Sequence, residues 1–154
     1  MPAKTCLEKI RGLLEADAEC FDGKLSAEEN GRKFVIERPK ASKEFFCRVK
    51  IDGCVVPKEA DVERCDYLFH RCETGDVYFV ELKGKDVEKG IAQIAASVAM
   101  LRPILQFGKE QIFGFVIVSR NPIRSAEMQV LGNEFRKKIG AKLEVHSREW
   151  THKI

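Results

Sequence analysis

Apolar residues recur along the chain with two different periods, and the switches between them mark its elements. Residues 4–18 place Leu7, Ile10, Leu13 or Leu14 and Ala18 on one stripe, which predicts an amphipathic helix. Residues 19–31 follow neither period and are expected to form a loop or short helix. From residue 32 the period is two. The segments RKFVIERP and EFFCRVKID predict a strand pair with the polar PKASK as its turn. After an irregular connection, RCDYLFHRC and DVYFVELKG predict a second hairpin across Thr74 and Gly75. Helical spacing returns with Val87, Ile91, Ile94 or Ala95, Val98 and Leu101, in a helix expected to stop near Pro103. The nearly continuous apolar run QIFGFVIVSR predicts a strand buried on both faces. Residues 125–140 open on a Ser able to cap a helix and close at Gly140, and residues 141–147 predict a last short strand.

An antiparallel first half followed by strand–helix–strand connections implies a mixed sheet whose later strands pair in parallel. The expected architecture is a three-layer α/β domain, a mixed sheet flanked by helices, over residues 1–154 without repeat or linker. With 154 residues, 44% of them hydrophobic, the chain can build one sizeable core. No apolar run approaches the roughly 20 residues of a membrane span, and the charged opening carries no secretory signal. A cytoplasmic protein with no membrane partner is expected.

Net charge is +3, and its distribution says more than its value. Residues 32–50 carry seven basic and two acidic side chains, residues 51–90 six and ten, and residues 120–154 eight and four. An acidic middle between basic ends suits a metal-loaded, phosphate-handling site, although solvated faces also carry charge in blocks. Six cysteines include no pair two to four residues apart, the spacing by which one loop presents two sulfurs to zinc. Buried, reduced thiols are therefore expected.

The second hairpin gathers the candidate chemistry. With its tip at Thr74 and Gly75, Asp66 falls opposite Lys83 and Leu68 opposite Glu81. Asp66, Leu68, His70, Phe79, Glu81 and Lys83 then share one face, while Tyr67, Phe69, Tyr78, Val80 and Leu82 share an apolar one. Asp66 and Glu81 are hard oxygen ligands suited to Mg²⁺, and the backbone carbonyl of Leu82 offers a further oxygen. Lys83 is placed to orient a water or stabilise charge developing on a phosphate. The same residues read equally as a cross-strand ion pair with Glu81 solvated beside it.

The spacing of Asp66, fourteen residues and Glu81-Leu82-Lys83, followed by the helix GKDVEKGIAQIAAS and the strand IFGFVIVS, resembles the PD-(D/E)XK nuclease superfamily. The resemblance covers roughly residues 44–119. It implies the restriction endonuclease-like fold and metal-dependent cleavage of DNA, with Asp66 and Glu81 binding Mg²⁺ or Mn²⁺ and Lys83 as catalytic lysine. Gln93 stands where Holliday-junction resolvase-like and RecB-like branches carry a Gln, and reads otherwise as an ordinary helix residue. Cys65 replaces the family's Pro, and Ser97 stands where the RecB-like branch has Tyr. Glu8, Glu15 and Glu19 are candidates for an acidic residue on the first helix. Arg120, Arg124, Arg136, Lys137, Lys138 and Lys142 form the expected phosphate footprint. Cutting two strands implies a homodimer. The alternative is a catalytically inactive nuclease-like fold that binds a protein partner, as an immunity module does, or nucleic acid. His70 reads as a ligand, a base or a hydrogen-bonding side chain. Trp150, between His146 and His152, is suited to stack on a base or to pack the tail onto the core.

Overall fold

Among residues 3–82, 86–120 and 124–154, which the computed structural model describes, nine strands sort into two sheets and three α-helices cover one of them. The chain begins with α1 (Ala3–Leu14), then a 3-10 turn at Ala18–Cys20, β1 (Phe21–Asp22), β2 (Ser26–Glu29), β3 (Arg32–Glu37) and β4 (Phe46–Lys50). The hairpin β5 (Tyr67–Arg71) and β6 (Val77–Glu81) follows, then α2 (Val87–Leu105), β7 (Ile112–Val118), α3 (Ser125–Lys138), β8 (Lys142–Ser147) and β9 (Glu149–Lys153). The larger sheet has the order β1-β4-β5-β6-β7-β8. Its first four strands pair antiparallel, whereas β6, β7 and β8 are parallel, as the strand–helix–strand pattern predicts.

The sheet is mixed and carries helices, an α/β sandwich, but its two faces are covered differently. One face presents Leu68, Val77, Phe79 and Val116 to residues of all three helices, among them Ile10, Ile94, Val98 and Phe135. The opposite face, with Tyr67, Phe69, Tyr78, Val80, Phe115 and Ile117, lies under a second sheet of order β2-β3-β9. The expected pairing of residues 32–39 with 44–52 is therefore corrected: β3 pairs with β2 and, in parallel, with β9, while β4 joins the larger sheet. The physical reason is that both faces of the central strands are apolar and both need a cover. Phe34 and Ile36 of β3, at 0% and 2% exposure, supply it on the side the helices leave open.

Smaller corrections have local causes. Helix α1 stops at Leu14, because Glu15 turns left-handed (φ 50°), and buries Cys6 and Ile10 while Leu13 stays 43% exposed. Ser125 is the first residue of α3 rather than its cap, which is Arg124. Residues 149–153, read as a tail, form β9 after Arg148 reverses the chain at φ 64°. Helix α2 runs through Pro103 to Leu105 before Gln106 caps it in a left-handed conformation.

The hairpin register also shifts. Tyr67 pairs with Val80, Leu68 with Phe79 and His70 with Val77, around a turn over residues 72–76 closed by Arg71 N–H to Asp76 O (2.8 Å) and holding Gly75 at φ 80°. The slip from the expected pairing is two residues, an even number, so every side chain keeps its face. The consequence is that Asp66, one residue before β5, lies beside the end of β6, its amide donating to the Val80 carbonyl at 3.2 Å.

The cysteines are not all reduced thiols. Cys6 is bonded to Cys72 and Cys20 to Cys54, leaving Cys47 and Cys65 as buried free thiols. Each disulfide joins segments far apart in sequence, 66 and 34 residues, so local spacing could not reveal it. No described helix is long and apolar enough to cross a membrane.

Candidate functional site

Asp66 immediately precedes β5 and Glu81 ends β6, so two adjacent antiparallel strands deliver two carboxylates to one edge of the helix-covered face. Their exposures are 2% and 1%. The Leu82 amide donates to Asp66 Oδ2 at 2.7 Å, which fixes that carboxylate against the end of β6. One residue upstream, the Cys65 amide donates to Ser97 Oγ at 2.8 Å and ties the entry of β5 to α2. Ser97 is fully buried, so at this position the chain has a scaffold residue.

Helix α2 closes the site from above. Asp86 caps it by accepting from the Lys89 amide at 3.2 Å. Gly90 lets the first turn lie against the sheet: a Cβ there would stand 2.9 Å from Val116 Cγ1 and 3.6 Å from Glu81 Cγ. Lys89 and Gln93, four residues apart and hence on one helix face, both line the cavity onto which Asp66 and Glu81 open, about 350 Å³ in volume. Its other wall is the connection from β4 to β5, which adds Asp52, Asp61 and Glu63. Arg64 organises that wall. Its guanidinium donates to Asp52 Oδ1 at 2.9 Å and to the carbonyls of Ala60 (2.5 Å), Val62 (2.7 Å), Lys58 (3.2 Å) and Pro57 (3.3 Å).

The structure thus brings together Asp66, Glu81 and Gln93. Lys83 lies outside the described residues. The Leu82 carbonyl accepts from Arg32 Nη1 at 2.9 Å, and the same guanidinium donates to Ser119 Oγ through Nε (3.1 Å) and Nη2 (2.5 Å). Arg32, 8% exposed, is therefore a buried clamp on the ends of β6 and β7 and is unavailable as surface charge. Glu8 and Glu15 border a separate cavity on α1 with Arg11, and Glu19 is exposed on the 3-10 turn, so none of the three lines the Asp66 cavity. The acidic residues that do line it lie between β4 and β5, in a segment whose irregular pattern offered no sign of facing the hairpin.

The basic residues do not form one footprint. Arg120 is exposed just beyond the end of β7 that neighbours Glu81, and exposed Arg124 pairs with Glu127 at 3.4 Å. Lys137 and Lys138 lie at the far end of α3, about 20 Å away at 1.5 Å per residue. The Lys137 carbonyl is engaged by Lys109 Nζ. Trp150, half-buried in β9, stacks on His146 with ring centroids 3.5 Å apart and 4° between planes, so it packs the C-terminal strand onto the fold.

A second group of donors sits at the other end of the same sheet face. His70 lies four residues along β5 from Asp66, about 13 Å at strand spacing. Ligand atoms of Cys6, His70 and Cys72 all fall within 4.8 Å of one another, a potential metal-coordinating cluster of one imidazole and two sulfurs. Its donors are soft and do not indicate Mg²⁺ or Mn²⁺. Burial, with Lys9 adding in the same direction, pulls the His70 pKa below its ordinary value. The free thiols are inert: burial, with Asp22 adding, pushes Cys47 up to about 12, and burial pushes Cys65 up as well.

No protein-family model, no curated protein and no solved structure matches the chain.

Proposed function

We propose that the chain is a metal-dependent endonuclease hydrolysing phosphodiester bonds in DNA. The observation that carries this reading is the meeting of Asp66, just before β5, and Glu81, at the end of β6, both nearly fully buried, at the wall of a cavity shared with Lys89 and Gln93. Two carboxylates at one buried strand edge concentrate negative potential, which a divalent cation relieves. Their oxygens are the hard donors Mg²⁺ and Mn²⁺ take, so the residues fit such an ion. When bound, the ion neutralises charge on a phosphoryl oxygen and makes a water more acidic. Gln93 and Lys89, on one face of α2, would hold a phosphate or water over the carboxylates, and Lys83 would complete the set. Arg120 and Arg124 stand at the same edge of the sheet for the flanking phosphates.

A second reading, a nuclease-like fold that binds a partner without cutting, is favoured by two observations. The cavity wall adds Asp52, Asp61 and Glu63 to the two site carboxylates, against Arg64, which Asp52 engages, and Lys89. That balance repels a phosphate backbone and suits a basic protein segment. Moreover, the cluster of three or more metal-ligating side chains found among the described residues is Cys6, His70 and Cys72, away from this cavity. Two measurements separate the readings. Protein incubated with supercoiled plasmid, linear duplex and a four-way junction should cut one of them with Mg²⁺ or Mn²⁺ and not with EDTA. Glu81→Gln and Lys83→Ala should abolish cutting, with melting temperatures within a few degrees of the parent. No Mg²⁺ or Mn²⁺ binding by calorimetry together with no cutting refutes the endonuclease and leaves the binding module.

A further inference from the structure

Cys6 comes from the opening turns of α1, whereas His70 and Cys72 come from β5 and the first residue of its turn. Spacing of two along a strand turns His70 and Cys72 to the same side, and the packing of α1 brings Cys6 to meet them. The three donors lie within 4.8 Å of one another, and the two sulfurs are joined as a disulfide. A second, independent observation singles out the histidine: its Nδ1 is buried and has no hydrogen-bond partner among the described residues. A buried ring nitrogen beside two sulfurs, with nothing accepting or donating to it, is a site that a soft cation satisfies. A cavity of about 310 Å³, bordered by Cys6, His70, Cys72 and exposed Glu73, leaves room for a fourth oxygen ligand.

We propose that Cys6, His70 and Cys72 form a thiol-gated zinc site. In the oxidised chain the sulfurs bond to each other and the site is closed to metal. Two equivalents of a low-molecular-weight thiol reduce the disulfide: two electrons and two protons pass to Cys6 and Cys72, and the reductant leaves as its own disulfide. Zn²⁺ then displaces the two thiol protons and takes both thiolates and the His70 imidazole, with water or Glu73 in the fourth position. Two sulfurs each about 2.3 Å from a tetrahedral zinc stand ~3.8 Å apart, a separation that side-chain rotation in the helix and the turn supplies. Either state pins α1 to the hairpin, by a covalent bond when oxidised and by metal when reduced. The site lies at the opposite end of the sheet face from Asp66 and Glu81 and uses different donors, so the endonuclease reading and this one stand or fall separately.

The test uses the full chain and Co²⁺ as a spectroscopic stand-in, followed by Zn²⁺ displacement. Protein reduced by a phosphine under anaerobic conditions should bind one Co²⁺ with a thiolate-to-cobalt charge-transfer band, and oxidised protein should show none. His70→Gln, which retains both cysteines and hence the disulfide, should weaken binding by more than about tenfold, the loss already typical of an outer-sphere partner. Cys72→Ser should abolish the band, while the Cys20→Ser/Cys54→Ser double variant and Asp66→Asn keep it. No band in the reduced protein overturns the proposal. So does equal binding by the oxidised protein, or a band that survives Cys72→Ser and His70→Gln. Circular dichroism of each variant separates loss of metal from loss of fold.

Discussion

Replacing Ser97 by Ala tests the claim that this position serves the scaffold and not the chemistry. Ser97 Oγ accepts the Cys65 amide at 2.8 Å, and both residues are 0% exposed. Alanine removes the acceptor and leaves a buried N–H without its partner, a loss of about 1–3 kcal/mol. For a chain of 154 residues, each kcal/mol corresponds to about 2–4 °C in melting temperature. A central cost of about 2 kcal/mol therefore predicts a fall of roughly 4–8 °C. Urea denaturation should show a lower midpoint with an unchanged slope, since the surface exposed on unfolding is the same. Hydrogen exchange should locate the loss, with the Cys65 amide becoming less protected. Under the proposed endonuclease reading, Mn²⁺ binding at Asp66 should also weaken modestly because Cys65 precedes it, whereas Gln93→Ala, at a half-buried helix position, should leave stability within about 0.5 kcal/mol. An unchanged melting temperature and unchanged protection at Cys65 would refute the reasoning. A collapse of the proposed DNA cleavage at full stability would instead place Ser97 in the site.

Three other outcomes follow from named contacts. Burial first, and nearby Lys142, Arg71 and His146, hold the His152 pKa below its usual 6.5 despite Glu144, so the unfolded chain takes up that proton at a higher pH than the native one. Stability contributed above pH 6.5 should decline as pH falls through the native value, and His152→Phe, between Tyr78 and Phe115, should flatten that decline in a melting-temperature profile; an identical slope would contradict the burial argument. Cys20 and Cys54 close a loop with a sequence separation of 34, so the Cys20→Ser/Cys54→Ser double variant should lose about 4 kcal/mol by loop-closure entropy, read as a lower urea midpoint under oxidising conditions. Equal midpoints for variant and parent would mean that this pair does not hold the native chain. Trp150 is the single tryptophan and its face is already covered by His146, so added single-stranded DNA should leave its fluorescence unquenched; strong quenching would restore the base-stacking role.

Periodicity located nearly every helix and strand of the second half because those elements carry their signal locally. Residues 111–120 read as a strand buried on both faces, and β7 is one; Gly90 and Gln93 fall on α2 where helical spacing put them, with Asp86 as its cap. Side-chain alternation placed Asp66 and Glu81 on one face, and that survived a two-residue error in register because an even slip preserves parity. What the sequence could not carry was partnership between distant segments. Residues 32–37 and 46–50 look alike as isolated strands, yet only the need to cover a second apolar face sends the first into another sheet and pairs it with residues 149–153. Arg32 counts as surface charge in any composition, and only the convergence of two strand ends, those of β6 and β7, on its guanidinium makes it a buried clamp. The carboxylates of the β4–β5 connection reach the hairpin because Arg64 folds that segment around itself, a set of contacts with no periodic trace. Cys6 and Cys72 are separated by 66 residues, and their meeting beside His70 depends on how a helix packs on a sheet. Local patterning thus determined the elements and the two faces of the hairpin, because burial selects side chains one element at a time. Tertiary packing alone decided which segments meet, and through that the neighbours of both candidate sites.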